Sequence, residues 1–348
     1  MAESELPSDP HAVYDGAGSY MEPMSVAVHP TKKCFAKCCG GEISIHDIKT
    51  GKVMLRINTT FPCGKHGDDS ERGCDNCENS CYTLAFSPSG DHLLVGGYKR
   101  VKVFNMKDCK LQILLYGYEC FVKCVTFDPT GAYCVCCDSE GTTILWDACT
   151  WNQIEYFRYS HLERFGGNGS VAFSPDGKTM IGSNKNVCGS LVMWNMVQDD
   201  PKRFMRELWH VGYGRTTFES VAYSPDGTRV AVVGYSGHTD PAVLVCDTLT
   251  GTDLIDLTGF TDFVGHTKGI VWSVAFSNSG KYLISGGDDR SICVWDMTTN
   301  KLIRVLKGHT DAVCAVMFSP DDGYILSAGK GTDISVRVWD ASFLKEIQ

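Results

Sequence analysis

The sequence predicts an all-β fold built from seven repeated units, and two recurring features of the chain indicate this. The first is a tight-turn phrase, in which an aromatic or aliphatic residue precedes Ser-Pro-Asp-Gly or a variant of it. The seven copies begin at Val28, Phe86, Phe127, Phe173, Tyr223, Phe276 and Phe318. Proline presets the backbone angle φ and glycine closes the turn, so each phrase predicts a hairpin between two strands.

The second feature is a dipeptide, often Trp-Asp, that stands further along each unit. Its seven copies begin at His46, Phe104, Trp146, Trp194, Cys246, Trp295 and Trp339. A short apolar run follows each dipeptide, and a Gly-His pair closes the best-preserved units. Four short strands in a unit of roughly 40 residues are typical of repeats that stack side by side.

These residues resemble the WD40-repeat family, and the resemblance covers nearly the whole chain. It is strongest in units six and seven, moderate in units two to four, and weak in units one and five. The resemblance implies a seven-bladed β-propeller with four antiparallel strands per blade, closed by pairing of an N-terminal and a C-terminal strand. We expect residues 11–17 to supply the closing strand, and residues 343–348 are the alternative.

The expected domain organisation is a single propeller. The chain has 348 residues, a length at which closed all-β folds often remain one domain. We expect a flexible acidic tail at residues 1–10 and a propeller at residues 11–348, with a Cys-rich insertion at residues 59–80. Hydrophobic residues make up 43% of the chain, which is enough for a large core.

Charge and hydropathy exclude several classes of protein. The net charge of −9 disfavours general binding to a phosphate backbone, so we expect no direct nucleic-acid partner. No apolar run approaches the roughly 18 residues of a membrane span, and residues 1–10 lack the pattern of a signal peptide. We therefore expect a cytoplasmic or nuclear protein without a membrane contact. Many of the 18 cysteines stand in apolar strand-like runs, which favours free thiols over disulfides.

Two sets of Ser, His and Asp suggest a hydrolase at first sight. The members are His266, Ser285, Asp289 and Trp295 in unit six, and His309, Ser327, Asp333 and Trp339 in unit seven. The resemblance implies that each set is instead a structural tetrad whose hydrogen bonds hold one blade together. Neither serine stands in the Gly-x-Ser-x-Gly turn that exposes a nucleophile, so we expect no catalysis. Unit three has Cys136 and Glu140 where the tetrad serine and aspartate would stand.

The insertion contains a candidate metal site. Cys63 and His66 form one pair, and Cys74 and Cys77 form a second. Two such pairs can converge on one tetrahedral Zn²⁺, and four protein ligands would make the site structural. Two alternatives stay open, namely a solvated acidic loop with incidental thiols and a redox-active thiol pair at Cys74 and Cys77. No other cofactor is expected.

The resemblance also indicates where partners bind. In this family the residue four positions before each turn phrase points toward the top opening of the central channel. Carried over, these residues are Met24, Tyr82, Lys123, Gly169, Glu219, Trp272 and Cys314. Trp272 and Tyr82 are aromatic types that are enriched at binding hot spots, Lys123 and Glu219 would set the charge preference, and Asp288 should rim the same face. The alternative is that Trp272 and Met24 only pack the channel wall.

The sequence therefore predicts a non-catalytic scaffold or recognition subunit of a multiprotein complex, which binds other proteins or peptides through its top face. A substrate-receptor adaptor of a ubiquitin-ligase or chromatin complex is one alternative. A thiol redox or metal-sensing propeller that uses residues 63–81 is an alternative of a different class. The fold does not decide among them, because WD40 propellers serve many functions.

Overall fold

A computed structural model describes residues 12–14, 25–39, 42–59, 81–158, 168–184, 190–196, 205–212, 216–237, 240–256 and 265–346. These residues form 27 β-strands and one four-residue helix, α1 (Phe343–Glu346). The strands make several antiparallel sheets, so the described part of the chain is almost wholly β, as the sequence predicts. Among these residues no helix is long and apolar enough to cross a membrane.

The first repeat forms the four-stranded sheet β2-β3-β4-β5. A short strand, β1 (Ala12–Tyr14), precedes it in the chain. The strands of the sheet are β2 (Val26–Val28), β3 (Cys34–Cys39), β4 (Glu42–Asp47) and β5 (Val53–Asn58).

The second and third repeats share one sheet of seven strands. Its members are β6 (Thr83–Phe86), β7 (His92–Gly96), β8 (Tyr98–Asn105), β9 (Lys110–Phe127), β10 (Tyr133–Asp138), β11 (Thr142–Asp147) and β12 (Gln153–Arg158). The repeat pattern predicts two strands where β9 runs unbroken, pairing with both β8 and β10. Proline is absent from β9, and Gly117 takes a φ of 117° that lets the chain turn within the strand.

The remaining repeats each contribute one sheet. The fourth repeat has β13 (Asn168–Phe173), β14 (Thr179–Asn184), β15 (Ser190–Met196) and β16 (Met205–Gly212). The fifth has β17 (Thr216–Tyr223), β18 (Arg229–Ser236), β19 (Asp240–Asp247) and β20 (Asp253–Asp256). The sixth has β21 (Val271–Phe276), β22 (Tyr282–Gly287), β23 (Ser291–Asp296) and β24 (Lys301–Lys307). The seventh has β25 (Val313–Phe318), β26 (Tyr324–Gly329) and β27 (Val336–Asp340).

The seventh repeat takes its fourth strand from the other end of the chain. β1 pairs antiparallel with β27, with Ala12 opposite Val338, and the sheet order is β1-β27-β26-β25. The competing C-terminal segment forms α1 over residues 343–346 instead of a strand. The Tyr282 hydroxyl donates a hydrogen bond of 2.7 Å to the Leu344 carbonyl, which fixes α1 against the sixth repeat.

The core lies between consecutive sheets, because the inner strands bury both of their faces. All six residues of β22 are buried; Leu283 packs with the fifth repeat and Ile284 with the seventh. This follows from the alternation of side chains along a strand. A further cluster joins the first and seventh repeats and contains Phe35 and Val338.

The hairpins lie at two opposite ends of the sheets. The top face is the end that carries the hairpins between the second and third strands of each repeat, such as β22–β23. The bottom face is the end that carries the Ser-Pro-Asp-Gly hairpins between the first and second strands, such as β21–β22.

Candidate functional site

The Ser-His-Asp set of the sixth repeat is closed on itself. His266 Nδ1 lies 2.9 Å from Asp289 Oδ1, and its Nε2 lies 2.9 Å from Ser285 Oγ. Trp295 Nε1 donates a hydrogen bond of 3.1 Å to the same serine oxygen. The four side chains thereby connect the loop before β21 to β22, to the β22–β23 turn and to β23.

The charges of this set are unsuited to nucleophilic catalysis. Burial works against a charged imidazole, but hydrogen bonds to Asp289 and Cys293 raise the pKa of His266 to about 10. Burial likewise disfavours the Asp289 carboxylate, yet the hydrogen bond from His266 lowers its pKa to about 2. A protonated His266 donates from both ring nitrogens, so Ser285 accepts a hydrogen bond from it. A serine nucleophile needs the reverse, a neutral histidine that takes its proton.

The seventh repeat contains the same arrangement. His309 Nδ1 lies 2.8 Å from Asp333 Oδ2 and its Nε2 lies 2.7 Å from Ser327 Oγ. Trp339 Nε1 donates to Ser327 Oγ at 2.8 Å. Burial opposes ionisation of Asp333, but hydrogen bonds from His309 and Ser335 hold the pKa of its carboxyl well below the usual range. Both sets therefore fasten strands together.

The third repeat replaces the set with different residues. The expectation that Glu140 stands at the carboxylate position is wrong, because Asp138 performs that role. Its Oδ2 accepts a hydrogen bond of 2.9 Å from Glu119 N, as Asp289 accepts one from Thr267 N. Asp138 stands two positions before Glu140 and is fully buried, whereas the Glu140 side chain is exposed. Trp146 Nε1 donates to the Tyr118 hydroxyl at 2.8 Å.

Trp272 is the centre of a polar and aromatic group on the top face of the sixth and seventh repeats. Its Nε1 donates a hydrogen bond of 2.6 Å to Asp288 Oδ1, and Asp288 Oδ2 accepts one of 3.0 Å from Ile270 N. Lys330 Nζ lies 3.9 Å from the centre of the indole ring, within the range of a cation–π contact. The indole is partly exposed, and its contacts with Asp288 and Lys330 hold it in one orientation.

A second carboxylate lies in the same hairpin region as Lys330. Asp311 Oδ2 accepts hydrogen bonds from both the backbone nitrogen and the hydroxyl of Thr332, at 3.0 and 3.1 Å. Hydrogen bonds from the backbone of Thr332 and Ala312 lower the pKa of Asp311, and the charge of Arg290 adds to this. The top face of these two repeats thus presents carboxylates and basic side chains around one tryptophan.

Aromatic residues form a second group on the top face of the second and third repeats. The Tyr82 ring lies edge-on to Phe121, with their centres 4.8 Å apart, and Tyr98 lies 5.0 Å from the same ring. Lys99 Nζ lies 5.4 Å from the centre of the Tyr98 ring. Phe121, absent from the sequence prediction, therefore holds Tyr82 in place.

The other residues expected on the top face lie on several different strands. Lys123 is exposed on β9, and Glu219 is half-buried on β17. The Cys314 thiol lies 3.5 Å from the carbonyls of Ala328 and Gly329. Gly169 lies in β13, and Met24 lies outside the described residues.

The predicted zinc ligands Cys63, His66, Cys74 and Cys77 lie outside the described residues. Within the part of the chain that is described, no group of three or more His, Cys, Asp or Glu side chains is placed to hold a metal.

Both ends of the insertion are anchored. At one end the buried Lys102 donates from Nζ to the carbonyl of Thr59 at 2.6 Å. At the other end the Cys38 thiol donates to the carbonyl of Cys81 at 3.5 Å, and burial raises the pKa of the Cys81 thiol well above its usual range. Cys81 therefore stays protonated, whereas the thiolate is the form that binds metals and reacts.

Sequence reasoning missed Lys330, although a signal for it exists. Lys330 and Asp288 hold matching positions at the end of the second strand of their repeats. The backbone nitrogen of each donates to a carbonyl just before the first strand, to Ala312 and to Ile270 respectively. Lys330 follows β26 as Asp288 follows β22, and this matching position is the signal that points to Lys330 as a top-face residue.

Comparison with known families matches the repeat described as "WD domain, G-beta repeat" at four places. The matches cover residues 72–105, 109–147, 258–296 and 300–340. They fall in the second, third, sixth and seventh repeats, which include the two repeats that hold complete Ser-His-Asp-Trp sets.

The curated relatives carry a range of names. "Periodic tryptophan protein 2 homolog" from Dictyostelium discoideum is 26% identical over 220 residues, which cover 61% of this chain and 21% of that protein. "Serine-threonine kinase receptor-associated protein" from Gallus gallus is 33% identical over 124 residues, 35% of this chain and 31% of that protein. "COMPASS component SWD3" from Saccharomyces cerevisiae is 27% identical over 169 residues, 48% of this chain and 47% of that protein. The chain thus spans less than half the length of each.

Proposed function

We propose that this chain, which is a WD40-repeat protein, is a non-catalytic scaffold or recognition subunit of a multiprotein complex that binds partner proteins or peptides through its top face. The observation that carries the proposal is the partly exposed Trp272 indole, held between Asp288 and Lys330. Tryptophan is enriched at binding hot spots, and an indole already fixed in one rotamer loses little entropy when a partner covers it.

We further propose that residues 11–348 form one seven-bladed propeller, preceded by an acidic tail at residues 1–10 and interrupted by the insertion at residues 59–80. The pairing of β1 with β27 supports closure of the ring. The cluster of Phe35 and Val338 between the first and seventh repeats supports it independently. Closure buries the inner faces of all sheets, so partners would meet only the two faces and the outer strands.

The charge pattern suggests how the top face would select a partner. Lys330 covers one side of the Trp272 ring, so a partner that stacks on this side must move Lys330 aside or offer it a carboxylate. One carboxylate oxygen of Asp288 accepts a hydrogen bond from the Trp272 indole nitrogen, and the other accepts one from the backbone nitrogen of Ile270. Its role is therefore to orient the tryptophan, while Tyr82 and Lys123 extend the surface over the neighbouring repeats.

The relatives support a subunit role in general terms. One is by name a component of an assembly, and another is by name receptor-associated. An adaptor in a ubiquitin-ligase or chromatin complex, in the cytoplasm or the nucleus, is a special case of this proposal. The partners we propose are proteins or peptides, without direct contact to nucleic acid.

The proposal is tested by quantitative affinity purification of the full chain and of Trp272→Ala. Loss of a hot-spot tryptophan costs about 2 kcal/mol or more, which is roughly a 30-fold loss of affinity. We expect the recovery of co-purifying proteins to fall accordingly, with an unchanged melting temperature.

The matched control is Leu249→Ala, which removes a side chain that is 85% exposed on the bottom face. It should leave recovery unchanged. Recovery of the same partners at the same level by Trp272→Ala, Tyr82→Ala and Lys330→Glu would contradict binding through the top face.

A further inference from the structure

The bottom-face hairpins of consecutive repeats lock together through a recurring contact. In the third to sixth repeats, the glycine of the hairpin faces the proline of the hairpin before it. A β-carbon added at Gly227 would lie 3.5 Å from Pro175 Cδ, and one added at Gly280 would lie 3.4 Å from Pro225 Cδ. These glycines have a φ near +70°, a conformation that glycine adopts at little cost. The contact closes the bottom face between these repeats.

The junction of the seventh and first repeats departs from this pattern. The first hairpin reads His-Pro-Thr-Lys where the second reads Ser-Pro-Ser-Gly, so Lys32 stands in the glycine position. A cavity of about 300 Å³ lies at this junction, between residues 30–33 of the first hairpin and residues 319–324 of the last. We call it the seam cavity.

The seam cavity combines an apolar floor with a basic rim. Pro30, Ile48, Pro320 and Tyr324 are among its apolar and aromatic lining residues, and its charged lining residues are Lys32, Lys33, Lys49 and Asp321. Lys33 Nζ lies 3.6 Å from Asp321 Oδ2, so these two charges offset each other. Within the described part of the chain, Lys32 and Lys49 have no carboxylate at ion-pair distance. Two positive charges are therefore available to a ligand.

The turn that carries Lys32 is held rigidly. His29 Nδ1 accepts hydrogen bonds from the backbone nitrogens of Thr31 and Lys32, at 3.2 and 3.1 Å. Burial, reinforced by the charge of Lys32, lowers the pKa of His29, which keeps the ring neutral and able to accept. Ile48 N donates to the Lys33 carbonyl at 3.0 Å, which ties this turn to the next one.

We propose that the seam cavity binds an acidic peptide segment of a partner protein, with carboxylates at Lys32 and Lys49 and an apolar side chain on Ile48 and Tyr324. This surface is separate from the top face and does not depend on it. The chain as a whole carries a net charge of −9, so an acidic segment is repelled by most of the surface and attracted to this rim. The apolar floor favours a peptide over a simple anion, which would contact only the lysines.

The test measures fluorescence anisotropy of a labelled nine-residue peptide, with glutamates on both sides of a central leucine, against the full chain. We expect Lys32→Glu combined with Lys49→Glu to weaken binding at least tenfold. Lys281→Glu combined with Lys301→Glu changes the net charge equally at exposed positions outside the cavity and should leave Kd within twofold. Replacing the peptide's leucine with serine should weaken binding about threefold, and thermal melting of each variant verifies folding.

Three results would overturn the proposal. Equal weakening of peptide binding by both pairs of charge reversals would mean that the peptide responds only to the net charge of the protein. Full competition by inorganic phosphate, together with equal binding of the serine peptide, would reduce the cavity to an anion site. Tenfold tighter binding by a full chain carrying Glu3→Gln, Glu5→Gln and Asp9→Asn would mean that the chain's own tail is the occupant. If the charge-reversal variant does not fold, the double variant Lys32→Gln with Lys49→Gln is measured in its place. An unchanged Kd for that variant would also overturn the proposal.

Discussion

Replacing Asp289 with asparagine should loosen the sixth repeat selectively. The carboxylate accepts hydrogen bonds from His266 Nδ1, from Thr267 N and from the Ser291 hydroxyl, at 2.9, 2.9 and 2.7 Å. Asparagine keeps the size and one acceptor oxygen but removes the charge. The protonated His266 would then be buried without a counter-charge, which is more costly than the loss of a neutral hydrogen bond.

The magnitude follows from the pKa of Asp289, which falls from 3.8 to about 2 in the fold. This shift corresponds to roughly 2 kcal/mol. Screening by solvent at a partly shielded carboxylate reduces the figure to roughly 1 to 2 kcal/mol. Such a loss lowers the local protection of backbone amides about tenfold.

The assay is native-state hydrogen exchange of β22 and β23 near neutral pH, below the pKa of His266. The matched control is Asp296→Asn, a half-buried carboxylate that accepts local hydrogen bonds from the backbone nitrogens of Thr298 and Thr299. We expect the control to leave exchange of these strands within about threefold. The reasoning is refuted if Asp289→Asn leaves protection unchanged, or if the control has the same effect.

Three further predictions concern other residues. His266 has a pKa of about 10 in the fold against 6.5 when unperturbed, so its contribution is complete below pH 6.5 and is lost as pH rises through 10. Urea midpoints of the wild type should therefore fall more between pH 7 and 10 than those of His266→Asn, and parallel curves would contradict this. Tyr118→Phe leaves the Trp146 indole nitrogen without its acceptor and should cost about 1–2 kcal/mol by urea unfolding; an unchanged midpoint would exclude the hydrogen bond as a stabilising contact. Gly90→Ala places a β-carbon 2.2 Å from the ring of His29. Gly237→Ala imposes a similar φ strain, but its added β-carbon has no neighbour within 4 Å. The first should cost at least about 2 kcal/mol more, and equal melting temperatures would contradict the packing.

The turn phrases and the Trp-Asp dipeptides predicted the sheets because each marks a boundary between strands that are close together in the sequence. Each turn phrase lies between two strands, and each Trp-Asp position ends a third strand, as Trp295 and Asp296 are the last two residues of β23. The spacing of the repeats does not show where one continuous strand belongs to two consecutive repeats. β9 merges two predicted strands because the residues between them continue the pairing of the sheet.

Side-chain partnerships were harder to predict than positions. Trp272 is found from its fixed distance to the turn phrase, but the contact with Lys330 depends on how far a lysine reaches between repeats. Spacing alone points to Glu140 as the carboxylate of the third repeat, but the buried Asp138, two positions earlier, accepts the hydrogen bond from Glu119 N.

The seam cavity illustrates a further limit of sequence reasoning. The replacement of glycine by Lys32 is visible in the sequence. Its consequence is visible only when the first and last hairpins, which lie far apart in the chain, are placed side by side.

The most direct test of a top-face scaffold is hydrogen exchange of the chain alone and in complex with its co-purified partner. The account predicts that the partner protects residues 270–274, 287–291 and 330–335, which surround Trp272, and leaves the outer strand β24 unchanged. Protection confined to outer strands, with no change around Trp272, would contradict it.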